Sequence, residues 1–141
     1  MMIKYIILGF LILESANVLT LYFFPDSKLA NGMGVFKAWE KSKKDDQVHD
    51  LVKYLVNWVA GTKLIFILLL IVILVTADDK TLVYSAAALA ASISSFFWRL
   101  FPLIRKMDQM EQIEPKGYSL VLGGLIAVFI LVFIIAILMT I

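Results

Sequence analysis

Glu14, Lys63 and Arg99 each interrupt or border a long apolar run. A carboxylate in such a place can titrate or hold a cation. An ammonium or guanidinium can pair with that carboxylate or hold an anion. Charges at bilayer depth are costly, so each marks an internal pair or a site. Polar partners stand close by. Asn17 follows Glu14 on the same helical face, and Asn57 and Gly61 lie on a second stripe near Lys63. Ala88, Ser92, Ser95 and Arg99 recur at helical spacing.

The elements that position these residues follow from composition. Of 141 residues, 62% are hydrophobic and 17% charged, well above the apolar share of about half in globular chains. The excess falls into blocks, and a helix needs about 20 apolar residues to cross a hydrocarbon core. Four such blocks stand out, at about 3–24, 51–76, 81–101 and 117–139. The last holds no charged side chain. The expected fold is all-α, a single four-helix transmembrane bundle over residues 1–141, with short interfacial or cytoplasmic helices in loops 1 and 3. The opening run resembles a signal peptide in outline. Glu14 and the missing small-residue cleavage site favour a retained first span.

Cysteine is absent and His49 is the single histidine. These counts exclude disulfides, thiolate nucleophiles, Cys-ligated metals and bis-histidine haem within one chain. No metal or cofactor is expected. The net charge of +2, with lysines interleaved among acids, carries no nucleic-acid signature.

Loops carry further signals. Asp78-Asp79-Lys80 is a minimal turn that predicts a tight hairpin of the second and third spans. Asp45 or Asp46 is placed to cap the second helix. In the long first loop, Val35, Phe36 and Trp39 share one helical face opposite lysines, the pattern of a short helix in the headgroup layer. His49 reads as a solvated residue at a helix start. Pro102 predicts a kink or stop in the third span. Beyond it, Leu103, Ile104, Met107, Met110 and Ile113 extend a helical stripe. In the fourth span, Gly123 and Ala127 form a small-residue face for helix packing, within the bundle or between subunits of a homo-oligomer. Ser92 and Ser95 offer the same on the third.

Basic residues set the orientation. Loops 1 and 3 and their flanks carry Lys28, Lys37, Lys41, Lys43, Lys44, Lys53, Arg99, Arg105, Lys106 and Lys116, against Lys4 and Lys80 on the other side. Loops 1 and 3 are expected in the cytoplasm and both termini outside, in a prokaryotic plasma membrane. At about 1.5 Å per residue, Glu14 lies roughly 15 Å and Lys63 roughly 9 Å from that face. Arg99 lies near the interface. Three arrangements remain open: a Glu14–Lys63 pair that fixes packing, a polar cavity in which Glu14 binds a proton or cation, and a Lys63 that snorkels into the lipid headgroups.

Tyr5-Ile6-Ile7-Leu8-Gly9 followed by Ile12-Leu13-Glu14 resembles the first helix of small multidrug resistance transporters. In that family one first-helix glutamate exchanges protons for cationic drugs. The resemblance implies that role for Glu14 alone. The long first loop, Lys63 and Arg99 depart from the family. In layout, four spans with a long cytoplasmic first loop look like the membrane-associated glutathione and eicosanoid enzymes, whose arginine-rich entry to the second helix is unmatched here.

Three functions follow as expectations. The first is transport or permeation of a small cation, proton or amphiphile through an inner-half pocket of Glu14, Asn17, Asn57, Lys63 and Arg99. The second is a membrane enzyme or lipid-binding protein acting on lipophilic molecules, with no evident nucleophile. The third is a non-catalytic subunit of a membrane complex. Membrane lipids are the expected partners throughout.

Overall fold

The computed structural model describes residues 2–140, so positions 1 and 141 of the expected single unit lie outside the described residues. The chain is all-helical, with α1 at Met2–Phe23, α2 at Lys37–Ser42, α3 at Asp46–Thr76, α4 at Asp79–Ser94, α5 at Phe96–Gln109 and α6 at Tyr118–Leu138. Four helical stretches are long and apolar enough to span a membrane: α1, α3, α4 continued by α5, and α6. Long side chains such as Leu68, Val75, Val121 and Leu138 point outward over much of their surface, as a lipid-facing exterior requires.

Helix α1 is the hub. It packs most extensively on α3 and also meets α6 and α4. Phe10 sits at the junction, with its ring edge-on to Phe66, Phe129 and Phe133 at centroid distances of 6.1, 5.8 and 5.7 Å. Such T-shaped contacts favour the aromatic quadrupoles beyond simple area burial. The core continues toward the α3–α4 turn through Ile3, Ile7, Leu70, Leu74, Leu82 and Ala86.

The α3–α4 link is as short as the sequence predicts, and Asp78 caps α4 through the Thr81 amide at 2.8 Å. The two helices nevertheless diverge. Contacts of α3 go mainly to α1 and those of α4 mainly to α6. The buried face of α4 is Leu82, Ala86, Leu89 and Ala90, whereas Ser92 and Ser95 are exposed. Their hydroxyls bond within the chain: Ser95 Oγ donates to the Ser92 carbonyl at 2.6 Å.

Pro102 does not stop the third span. It lies inside α5, and the helix is interrupted earlier, at Ser95. Packing of α5 on α6 carries the helix past the proline. Gly123 is buried at that contact, where an added Cβ would lie 2.5 Å from Phe101 Cε2. The small-residue face of α6 is therefore used inside the bundle at Gly123, while Ala127 is half-buried. The stripe beyond Pro102 ends as helix at Gln109, and Ile113 turns back to pair with Phe36.

That pairing joins loops 1 and 3. The Lys37 amide donates to the Gln112 carbonyl at 3.0 Å and the Glu114 amide to the Val35 carbonyl at 2.8 Å. Lys28 and Lys37 flank Glu114 at 3.2 and 3.5 Å. Asp108 completes the junction. It is 2% exposed and accepts from the Gly117 amide at 2.9 Å, the Ser119 amide at 3.0 Å and Ser119 Oγ. A side chain from α5 thus serves the unsatisfied amides that open α6, next to Gly117 in the left-handed region at φ 86°, which suits glycine. Asp108→Ala is expected to lower the unfolding midpoint by several degrees, because three donors lose one acceptor, and thermal unfolding in detergent checks this.

Candidate functional site

Glu14 and Lys63 meet. Lys63 Nζ lies 2.6 Å from Glu14 Oε2, and Asn17 Nδ2 donates to Glu14 Oε1 at 3.4 Å. The pair joins α1 to α3, which pack on each other. The side chains retain 18% exposure for Glu14 and 31% for Lys63. Lys63 also borders a shallow groove of about 210 Å³ with Trp58, Val59 and Thr62, all from α3, and Glu14 does not line it.

Arg99 does not join this pair. It is exposed, with its guanidinium 5.4 Å from the Trp98 ring centroid, and makes no ion pair among the described residues. The cation–π contact suits an interfacial position. Asn57 is also separate from Glu14 and belongs to a different cavity.

That cavity, about 260 Å³, opens at the loop end of the α1–α3 interface. Loop 1 makes one wall. Pro25 turns the chain out of α1, and Gly34 passes so close to the Asp26 carbonyl that a Cβ there would collide with backbone. This brings α2 back across α1 and α3. Trp39 is 3% exposed and packs with Leu21, Val56 and Ala60. The aromatic face expected to enter the headgroup layer is instead turned into the protein. A buried indole needs a partner for its N–H, and Trp39 Nε1 donates to Asp26 Oδ1 at 2.6 Å. Lys43 Nζ reaches the same oxygen at 2.6 Å and Glu40 Oε1 at 2.8 Å.

Helix α3 makes the other wall. Asp45 caps it, accepting from the Gln47 and Val48 amides. His49, Lys53 and Asn57 then follow at one-turn intervals and line the cavity opposite Tyr22 and Asp26. Tyr22 lies close over α3, its hydroxyl 3.2 Å from where a Cβ of Gly61 would stand. His49 is not the solvated residue the sequence suggests. Its Nδ1 lies 2.8 Å from Ser42 Oγ and its ring 5.0 Å from the Trp39 ring.

Donor counting assigns the imidazole tautomer. With Ser42 Oγ donating its one proton to the Trp39 carbonyl at 2.7 Å, the contact with His49 is made by Nδ1–H as donor. Nε2 is then the ring atom left to the cavity.

The carboxyl of Asp26 is held below its usual range, first by the Lys43 hydrogen bond and then by the Trp39 indole. Lys43 is pushed up, first by Asp26 and then by Glu40. A carboxylate with a lowered folded pKa contributes stability above the unfolded value, lost as pH falls through the folded one. An ammonium with a raised pKa contributes below the unfolded value and loses it as pH climbs through the folded one. The Asp26–Lys43 link is thus complete between the usual carboxylate and lysine ranges. Trp39 emission is expected to stay constant across neutral pH and to change below about pH 4, which a fluorescence titration checks.

Neither family models, nor curated proteins, nor solved structures give a match to this chain.

Proposed function

We propose that this small membrane protein binds the anionic head group of a membrane amphiphile in the cavity between loop 1 and α3. The observation that carries the reading is the polar stripe of His49, Lys53 and Asn57 along one face of α3, lining an open cavity. Lys53 contributes an ammonium that joins no ion pair among the described residues. Tyr22 and Trp39 supply aromatic walls of the kind that sit at the headgroup level. The basic bias of loops 1 and 3 supports a cytoplasmic position, where anionic lipids concentrate basic segments.

In this reading Glu14, Asn17 and Lys63 are not the binding site. Their direct contact supports a lock that holds α1 against α3 and so keeps the cavity walls in register. Arg99 serves as an interfacial anchor. The test is thermal unfolding in nanodiscs. A ligand that binds the folded state alone raises the midpoint by mass action, so anionic lipid is expected to raise it above that in phosphatidylcholine. Equal midpoints would remove the proposal.

A second reading keeps Glu14 as a proton or cation site of a transporter. The hydrogen bond from Asn17 and the incomplete burial of Lys63 favour it. Proton-coupled flux in proteoliposomes abolished by Glu14→Gln would establish it, and unchanged flux would remove it.

A further inference from the structure

We infer that the cavity selects a phosphomonoester head group over a phosphodiester, with His49 Nε2 as the selecting atom. The inference rests on the head-group reading above and adds the chemistry of the ligand.

Charge near the cavity is balanced while His49 is neutral. Asp26 and Glu40 share Lys43, and Lys53 offsets the remaining carboxylate. Tyr22 and Asn57 add uncharged donors. The groups facing His49 are Asp26 from the segment after α1, Ser42 and Lys43 from the end of α2, and Lys53 from α3 itself. An anion entering this site therefore relies on Lys53, which joins no ion pair among the described residues, and on hydrogen-bond donors.

The order of hydrogen bonds then decides which anion fits. Nδ1–H is committed to Ser42, so neutral His49 offers the cavity a lone pair at Nε2. A phosphodiester is a monoanion with no proton to give, and its oxygens meet that lone pair acceptor to acceptor. A phosphomonoester has a second pKa near 6. Its monoanion carries an O–H that donates to Nε2. Equally, the proton can reside on Nε2, which then donates to the dianion. One proton is shared, the total charge is the same in both forms, and either form makes the contact. Lys53 lies one turn along α3 to take a second phosphate oxygen, as a compact point charge does well.

The experiment uses the full chain in phosphatidylcholine nanodiscs at pH 7.5, titrated with phosphatidic acid or phosphatidylglycerol. Phosphatidic acid is expected to bind at least ten-fold more tightly. His49→Asn places an amide N–H where Nδ1–H was, keeping the Ser42 contact while removing Nε2, and is expected to bring the ratio close to one. A ratio near one in the unmodified protein, or an unchanged ratio in His49→Asn, overturns the inference and leaves the head-group reading standing. Failure of both anionic lipids to bind above phosphatidylcholine overturns the head-group reading itself. Displacement of phosphatidic acid by glycerol 3-phosphate at matched concentration would assign the site to a soluble phosphomonoester, overturning the lipid source and sparing the monoester preference.

Discussion

Lys63→Met is expected to destabilise the bundle by about 2–3 kcal/mol, while Glu14→Gln costs about 1 kcal/mol, and the two together cost less than their sum. Removing one partner of a fully buried pair costs about 3–5 kcal/mol, because the other charge is left without compensation. Here the partners keep 18% and 31% exposure, which places the effect below that range. The asymmetry comes from the stranded group. Without Lys63, Glu14 is fixed on a short stem beside Asn17, and must protonate or drag water into the α1–α3 seam. Without the Glu14 charge, Lys63 can extend along the groove beside Trp58 and Thr62 and snorkel toward the interface. A double-mutant cycle on unfolding in one detergent isolates the coupling, since neighbouring residues deviate from additivity by about 0.5–3 kcal/mol. Zero coupling would show that the pair locks nothing. A full coupling with unaltered head-group binding in the double variant would separate the lock from the cavity it supports.

The reach of sequence reasoning divides along the distance between partners. The four spans are legible because apolar length alone decides them. The Asp45 cap is legible because its acceptors and donors are neighbours in the chain. Glu14 and Lys63 are far apart in sequence, yet each is so costly in a bilayer that pairing is one of few solutions, and depth counting puts both in the inner half of the membrane, where a pair is one of the three arrangements left open. Arg99 fails the same test because a helix end near the interface offers it water and the Trp98 face.

What escapes is set by long-range contacts between loops. Nothing local shows that Phe36 pairs with Ile113, or that Asp108 caps a helix beginning beyond Pro115. The same holds for the cavity. The stripe of His49, Lys53 and Asn57 is visible at one-turn spacing, but its meaning depends on α2 folding back so that Trp39 covers one side. The buried indole in turn requires Asp26, and Asp26 recruits Lys43. A pattern of Val35, Phe36 and Trp39 on one face is the same whether that face meets lipid or protein. Competition between those two apolar surroundings is decided by how closely Gly32 and Gly34 let loop 1 return to α1.

Lys53→Gln is the second large effect. It removes the one ammonium lining the cavity that is not already shared between carboxylates, and it leaves the fold untouched because the side chain is exposed. Affinity for anionic lipid is expected to fall about ten-fold, equivalent to about 1.4 kcal/mol. The loss should be smaller at high ionic strength, where screening already weakens the contribution of an exposed charge. Lys44→Gln, in the link before α3 and outside the cavity lining, is expected to change affinity little.

The direct measurement follows Trp39 itself. With Trp58→Phe and Trp98→Phe, the remaining indole reports from the cavity wall as anionic lipid is titrated into phosphatidylcholine nanodiscs. A saturable change in Trp39 emission, shifted about ten-fold to higher lipid fraction by Lys53→Gln, is the predicted result. No change in emission, or the same curve with and without Lys53, would contradict a head-group site in this cavity.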